Sequence, residues 1–189
     1  MLELEIYIQT YFGIPVEHIQ KIVELFEPTT LEKNEYFTQT GKFCKKLSFI
    51  KSGNIRVFNY SGGKDVTQWI STKGEFITDL SSLIFNTPSR WNIQALTASE
   101  LFTLHQENYI QIGKIVPQWK DLEKLFIAKC FLNLEDRVYS FLSMTAEERY
   151  EQLYTKNKEL FNLVPLHYLA SMLGMTPETL SRIRKKAIS

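Results

Sequence analysis
The sequence is poor in cysteine, in histidine, in long apolar runs and in excess charge, and each shortage removes a class of protein. Cys44 and Cys130 are the only thiols and they lie far apart. No disulfide framework, Cys-x-x-Cys pair or four-cysteine iron–sulfur site can be built from them. Two free thiols with apolar neighbours read as packing residues in a reducing cytosol. The longest apolar stretch, Leu125 to Leu134, is broken by Lys129 and Asn133, whereas a membrane-spanning helix needs about 20 apolar residues. The opening Met1-Leu2-Glu3-Leu4-Glu5-Ile6 has no basic segment before an apolar run, so no secretory signal and a cytoplasmic location are expected. Lys+Arg is 22 against Asp+Glu 21, which rules out a globally basic coat for nucleic acid. Any such contact must come from a local patch. His18, His105 and His167 are scattered along the chain, so no metal site is expected where clustered His and carboxylate ligands would be needed. With no nucleophile motif and no phosphate loop, the expectation is a protein that is not an enzyme.

What is present is an ordinary globular balance. The 189 residues are 44% hydrophobic and 23% charged. A chain of this size buries roughly 70% of its unfolded surface and needs no staple. Its rhythm changes twice. Residues 1–35 carry apolar positions at helical spacing, Ile19, Ile22, Val23, Leu25 and Phe26, between Pro15 and Pro28. The spacing predicts a helix over 16–26 and a second before Gly13. Residues 36–104 hold five of the eight glycines and short alternating runs. Ser61-Gly62-Gly63-Lys64 between two such runs predicts a hairpin, and 93–97 and 100–104 read as further strands. Antiparallel pairing into a sandwich or barrel follows. Residues 105–189 are helical. The run opened by Pro117 has more apolar positions than one stripe needs: Trp119, Leu122, Leu125, Phe126, Phe131, Leu132 and Leu134. Such a helix buries one face on its own domain and another on something else. The polar Leu134-Glu135-Asp136-Arg137 suggests a boundary near 135, and Thr145 to Glu148 is a capping box for a later helix.

The most specific signal is at the end. Pro165 suits a first helical turn, and Leu166, Leu169 and Leu173 share a face. Ala170 permits close approach of a second helix. Gly174 can take the left-handed conformation that ends the first. Thr176 is a good N-cap and Pro177 a good first residue for the second helix. Leu180 and Ile183 face inward there, opposite Glu178, Ser181, Arg182, Lys185 and Lys186. Ala, Gly four residues on, and a capped helix with a polar face form the helix-turn-helix pattern. Four bases against one acid after Thr176 supply the local patch that phosphates require.

Order and residues together resemble the Crp/Fnr family of transcription regulators. Gly41 through Gly53 to Gly74-Glu75-Phe76 is similar to that family's β-roll, Pro117–Leu134 to its dimerisation helix, and Leu169–Lys186 to its helix-turn-helix. The resemblance implies an α+β fold: an antiparallel β-roll or jelly-roll sensor domain over 1–116, a dimerisation helix over 117–134, and a small helix-turn-helix domain over 135–189. The family's usual wing is not expected within these 189 residues. Thr176-Pro177-Glu178-Thr179-Leu180-Ser181-Arg182 matches the family's recognition helix at Thr176, Glu178, Thr179 and Arg182. The match implies base contacts by Glu178 and Arg182, and Pro177 stands where the family has an Arg. A carboxylate can accept from cytosine N4 and Arg can grip guanine.

Cyclic-nucleotide-binding members hold ribose and phosphate with a Gly-Glu-Leu turn and a later Arg-Ser/Thr. Here Thr78 replaces the glycine and Asp79 the glutamate, Arg90 comes one residue late, and Trp91 follows it. The degraded turn argues against a cyclic nucleotide. Thr78, Asp79, Leu80, Arg90 and Trp91 are the candidate pocket for any other small ligand. The expected function is a cytoplasmic, homodimeric DNA-binding regulator that pairs through Leu122, Leu125, Phe126 and Leu132 and reads a near-palindrome on double-stranded DNA. RNA polymerase would be a further partner. The rival reading is a sensing or interaction module whose last helices are structural only.

Overall fold
The computed structural model describes residues 2–188. Two helices, α1 (Leu2–Phe12) and α2 (Val16–Val23), precede the strands β1 (Glu27–Leu31), β2 (Tyr36–Thr38), β3 (Lys46–Ser52), β4 (Ile55–Ser61), β5 (Lys64–Ser71) and β6 (Phe76–Ile77). The short helix α3 (Leu80–Phe85) leads to β7 (Asn92–Ala95) and β8 (Ser99–His105). The rest is helical: α4 (Gln106–Ile115), α5 (Trp119–Ser143), α6 (Ala146–Lys156), α7 (Leu160–Leu163), α8 (Leu166–Met172) and α9 (Pro177–Ile188). The expected absence of a wing falls at Ser189, outside the described residues.

The strands form two four-stranded antiparallel sheets, ordered β1-β8-β3-β6 and β2-β7-β4-β5. Leu31, Phe37, Ile50, Ile55, Ile77 and Ile93 fill the roll between them. The β4–β5 hairpin turns where the sequence predicts, through Gly62 at φ +57° and Gly63 at +76°, a left-handed pair that suits glycine. The predicted 16–26 helix stops at Val23, and Pro28 does not simply close it. Pro28 lies in β1, a strand absent from the sequence reading. β1 is an edge strand, where a residue without an N–H is tolerated.

Each sheet carries helices on its outer face. Against the first, Leu47, Phe49 and Leu104 pack with α1, α2, α4 and α5. Phe12 is the centre of that layer, with its ring 4.8 Å from Phe126 and 5.4 Å from Trp119. Against the second, Ile70 and Leu96 join Tyr150, Leu160, Leu169 and Leu180 of the C-terminal helices. Here β5 is an edge strand, and α8 covers it. The Ser171 hydroxyl accepts from the Thr67 amide at 2.9 Å and donates to the Asp65 carbonyl at 3.3 Å. The joint is centred on Arg56, 1% exposed. Its guanidinium lies 4.2 Å from the Phe58 ring and 3.8 Å from the Tyr168 ring. Nε donates to Thr67 at 2.8 Å and Nη1 pairs with Asp65 at 2.7 Å, while Nη2 is buried with no partner.

Helix α5 runs 25 residues, straight through the polar stretch at 135. That stretch changes the helix surface without ending the helix. At its far end Arg137 donates to the Met172 carbonyl at 2.6 Å, and Arg149 of α6 to Leu173 at 3.0 Å. Two cations thus cap the C-terminus of α8. The predicted capping box is formed, with Thr145 and Glu148 exchanging bonds at the start of α6. No helix among the described residues is long and apolar enough to cross a membrane.

Gly174 sits at φ +66°, and a Cβ there would meet the Phe141 ring at 2.5 Å. Gly174→Ala is expected to lower unfolding stability by about 1–3 kcal/mol, from left-handed strain and steric overlap together. A urea midpoint equal to wild type would contradict this.

Candidate functional site
Helix α9 is built to present one face. Leu180 is fully buried and Ile183 nearly so, which holds the helix on the C-terminal core. Met175 N–H bonds back to the Ala170 carbonyl at 3.0 Å, closing the turn after α8. The Thr176 hydroxyl accepts the Thr179 N–H at 3.2 Å and so caps α9 as the sequence predicts. Pro177, Glu178, Ser181, Arg182 and Lys185 line one shallow groove on the outer side. The Glu178 carboxyl is held below the ordinary range by backbone bonding at the helix start and by the Thr176 hydroxyl. It stays an acceptor at neutral pH. Thr179 is half-buried, and Lys186 forms an ion pair with Glu147 at 3.2 Å. The predicted DNA-facing residues therefore share one helix, with Glu178, Ser181, Arg182 and Lys185 on one surface and Thr176 and Thr179 making its cap.

The roll's candidate ligand residues are gathered around one group. Asp79 is buried and caps α3. One carboxylate oxygen accepts from the Ser81 hydroxyl at 2.6 Å and the Ser82 amide at 3.1 Å. The other accepts from the Ser89 hydroxyl at 2.9 Å and the Arg90 amide at 2.8 Å. Burial alone would push this carboxyl up, but the four donors outweigh it and hold it below the usual range. A carboxylate has about four lone-pair positions, and all are taken. Thr78 donates to the Lys46 carbonyl at 2.9 Å. Leu80 packs on the helical layer and Trp91 on the roll interior. The Arg90 side chain is exposed, so only its backbone joins the cluster.

The expected pairing residues divide. Phe126 is 1% exposed and packs on Phe12 and Phe76, and Leu122 is half-buried against the same core. These two belong to the chain's own interior, which corrects their assignment to an interface. Leu125 and Leu132 are exposed. With them, Ile127, Phe131 and Leu134 are exposed, as are Val138, Tyr139 and Leu142 beyond the expected end of the helix. Sequence reasoning missed Arg56, Tyr168 and Ser171 altogether. Arg56 alternates with Ile55 and Val57 and so reads as a solvent-facing strand residue, and only the fold brings α8 over it. Among the described residues no His, Cys, Asp and Glu come together as a metal site. The His105 Nε2 instead meets Glu27 at 2.7 Å.

Comparison with known proteins agrees with this architecture. Residues 28–114 match the family model of the cyclic nucleotide-binding domain. No curated protein matches the chain. Among solved structures, FixK2 of Bradyrhizobium japonicum aligns with a TM-score of 0.70 at 16% identity, over 85% of this chain and 83% of that one. The c-di-GMP-responsive global regulator CLP of Xanthomonas campestris aligns at 0.68 and 14% identity, over 92% and 91%. The Thermus thermophilus catabolite activator protein aligns at 0.58 and 21% identity, over 92% and 84%. These findings bear out the α+β roll fold drawn from the sequence, with a region like the cyclic nucleotide-binding domain over 28–114.

The Asp79 cluster sets a pH dependence. Its lowered carboxyl contributes stability that is present above the ordinary Asp range and is lost as pH falls through the folded value. Asp79→Asn should lose about 1–3 kcal/mol at neutral pH. The gap to wild type should shrink below about pH 4. Denaturation curves at several pH values test this, and a gap that stays constant in acid would reject the role.

Proposed function
We propose that this chain is a cytoplasmic DNA-binding transcription regulator that acts as a homodimer on a near-palindromic operator and performs no catalytic step. The observation that carries the reading is α9: a capped helix anchored by Leu180 and Ile183 that exposes Glu178, Ser181, Arg182 and Lys185 together. A helix so presented fits the major groove with its N-terminal part at the base edges. Arg182 grips guanine O6 and N7, Glu178 accepts from cytosine, and Lys185 and Lys186 hold phosphates. RNA polymerase is a natural second partner. The fold likeness to CLP, a global regulator that links cell-cell signalling to virulence gene expression, supports the reading.

The exposed side of α5 pairs with a second copy, which places two α9 helices about 34 Å apart, one turn of DNA. The roll does not take a cyclic nucleotide in this reading. The Asp79 carboxylate has no lone pair left for a ribose hydroxyl, and Ser89 and Arg90 give their hydroxyl and amide to Asp79 rather than to a phosphate. A phosphate brought here would also face a buried like charge.

Selection of an operator from a randomised duplex pool, followed by fluorescence anisotropy, tests the whole. Arg182→Ala should cost about 1–3 kcal/mol and relax preference at one position, while Lys185→Ala should weaken all sequences alike and lower the salt slope by about one. Equal losses on every duplex for both variants would refute the assigned roles. Leu125→Glu should give monomers with weak DNA affinity, and an unchanged dimer by light scattering would reject the interface. Cyclic AMP should leave operator affinity unchanged.

A further inference from the structure
We propose that Glu135 sets the strength and register of self-association, because pairing of α5 with a second copy brings this carboxylate against its own counterpart. The inference rests on the homodimer reading above. The buried face of α5 follows Trp119, Leu122, Phe126 and Cys130, which pack inward. On the opposite side, Ala128, Phe131, Glu135, Val138 and Leu142 recur at alternating spacings of three and four, and all five are exposed. That is the heptad spacing at which two helices interlock side chains along a seam. Leu142, at its end, is 82% exposed.

A second copy is the occupant that this seam fits. Nine large apolar side chains between 125 and 142 are exposed, from 38% at Phe141 to 82% at Leu142, where a standard protein interface takes roughly 800 Å² from each partner. A monomer rarely leaves a patch that large uncovered. The pairing is parallel, because the turn between α8 and α9 packs on Arg137 and Phe141 near one end of α5, and both α9 helices must reach one duplex. In a parallel two-fold pair, each seam position meets the same position of the other copy.

Glu135 is the one charged member of the seam. Its helical neighbours at three and four residues, Phe131, Leu132, Val138 and Tyr139, offer no cation. The other charged residue lining this groove is Asp136, also an acid. Neither appears among the ion pairs of the described residues. Two carboxylates therefore approach across a seam that is apolar on both sides. Their repulsion weakens the pair, and it also penalises any partner that places an acid there.

Sedimentation equilibrium on the full chain tests this. Glu135→Gln keeps the size and removes the charge, and its dimer should be at least tenfold tighter than wild type. Added salt should tighten the wild-type dimer and leave the variant little changed. In native mass spectrometry, wild type mixed with Glu135→Lys should give mixed dimers in excess of random pairing. Equal dissociation constants for wild type and Glu135→Gln, with random mixing, would overturn the role of Glu135 and leave the dimer standing. Monomers for every variant at all concentrations would overturn the dimer reading and this inference with it.

Discussion
The buried guanidinium of Arg56 is the contact on which the arrangement of the two halves depends. A charge taken out of water must be compensated, and Arg56 gathers its compensation from both sides of a joint. Asp65 and Thr67 come from the roll, and Tyr168 comes from the helix pair. Remove α8 and the cation would face solvent on a strand that has no other cover. The edge of β5 has the same need, since its free amide and carbonyl are met by one hydroxyl, Ser171. An exposed strand edge invites pairing with another chain, and α8 closes it. One Arg56 nitrogen stays without a partner, so the joint is not saturated. It fastens the helix pair while holding a small unfavourable term that undocking would release.

Helix α5 carries the other structural demand, because two of its faces are apolar for different reasons. The inner face runs through Phe126 and Cys130 to Arg137, whose side chain reaches the Met172 carbonyl and the Trp69 ring. Burial lowers the Arg137 pKa to about 10. The outer face has no partner within the protomer. The same rod therefore meets the roll at one end and the α8–α9 pair at the other, with an uncovered apolar strip along its side. A change in how two copies lie against each other would be carried to α9 by rigid helix rather than by loops.

Much of this was legible in the sequence wherever a local rule settles the conformation. Gly62-Gly63 specified the hairpin, Thr145 and Glu148 the start of α6, and Gly174 with Thr176 the turn into α9. Each is a case in which backbone geometry or a cap depends on residues within four positions. The candidate DNA-facing side chains were legible for the same reason, since a helix of known start fixes which residues share its face. The misreadings came where long-range packing decides. Pro28 looked like a helix stop, and its place at a sheet edge depends on β8, far along the chain. Phe126 looked like any apolar residue of a two-faced helix, and only the position of Phe12 turns it inward. Arg56 looked solvated, because nothing near it in sequence announces the helix that covers it.

Asp79 shows how one substitution alters what a shared fold can do. The loop and α3 bring two amides and two hydroxyls to a point, which is the kind of concavity that attracts an anion. In this chain the anion is covalently present as a side chain, and it is held at fixed geometry by two donors on each oxygen. Ligand-driven shifts need a ligand that binds one state better than another, and under the reading proposed above a cluster that supplies its own counter-charge offers an anionic ligand no such difference. Unsatisfied chemistry remains elsewhere: at the unpartnered nitrogen of Arg56, along the uncovered apolar side of α5, and on the polar face of α9.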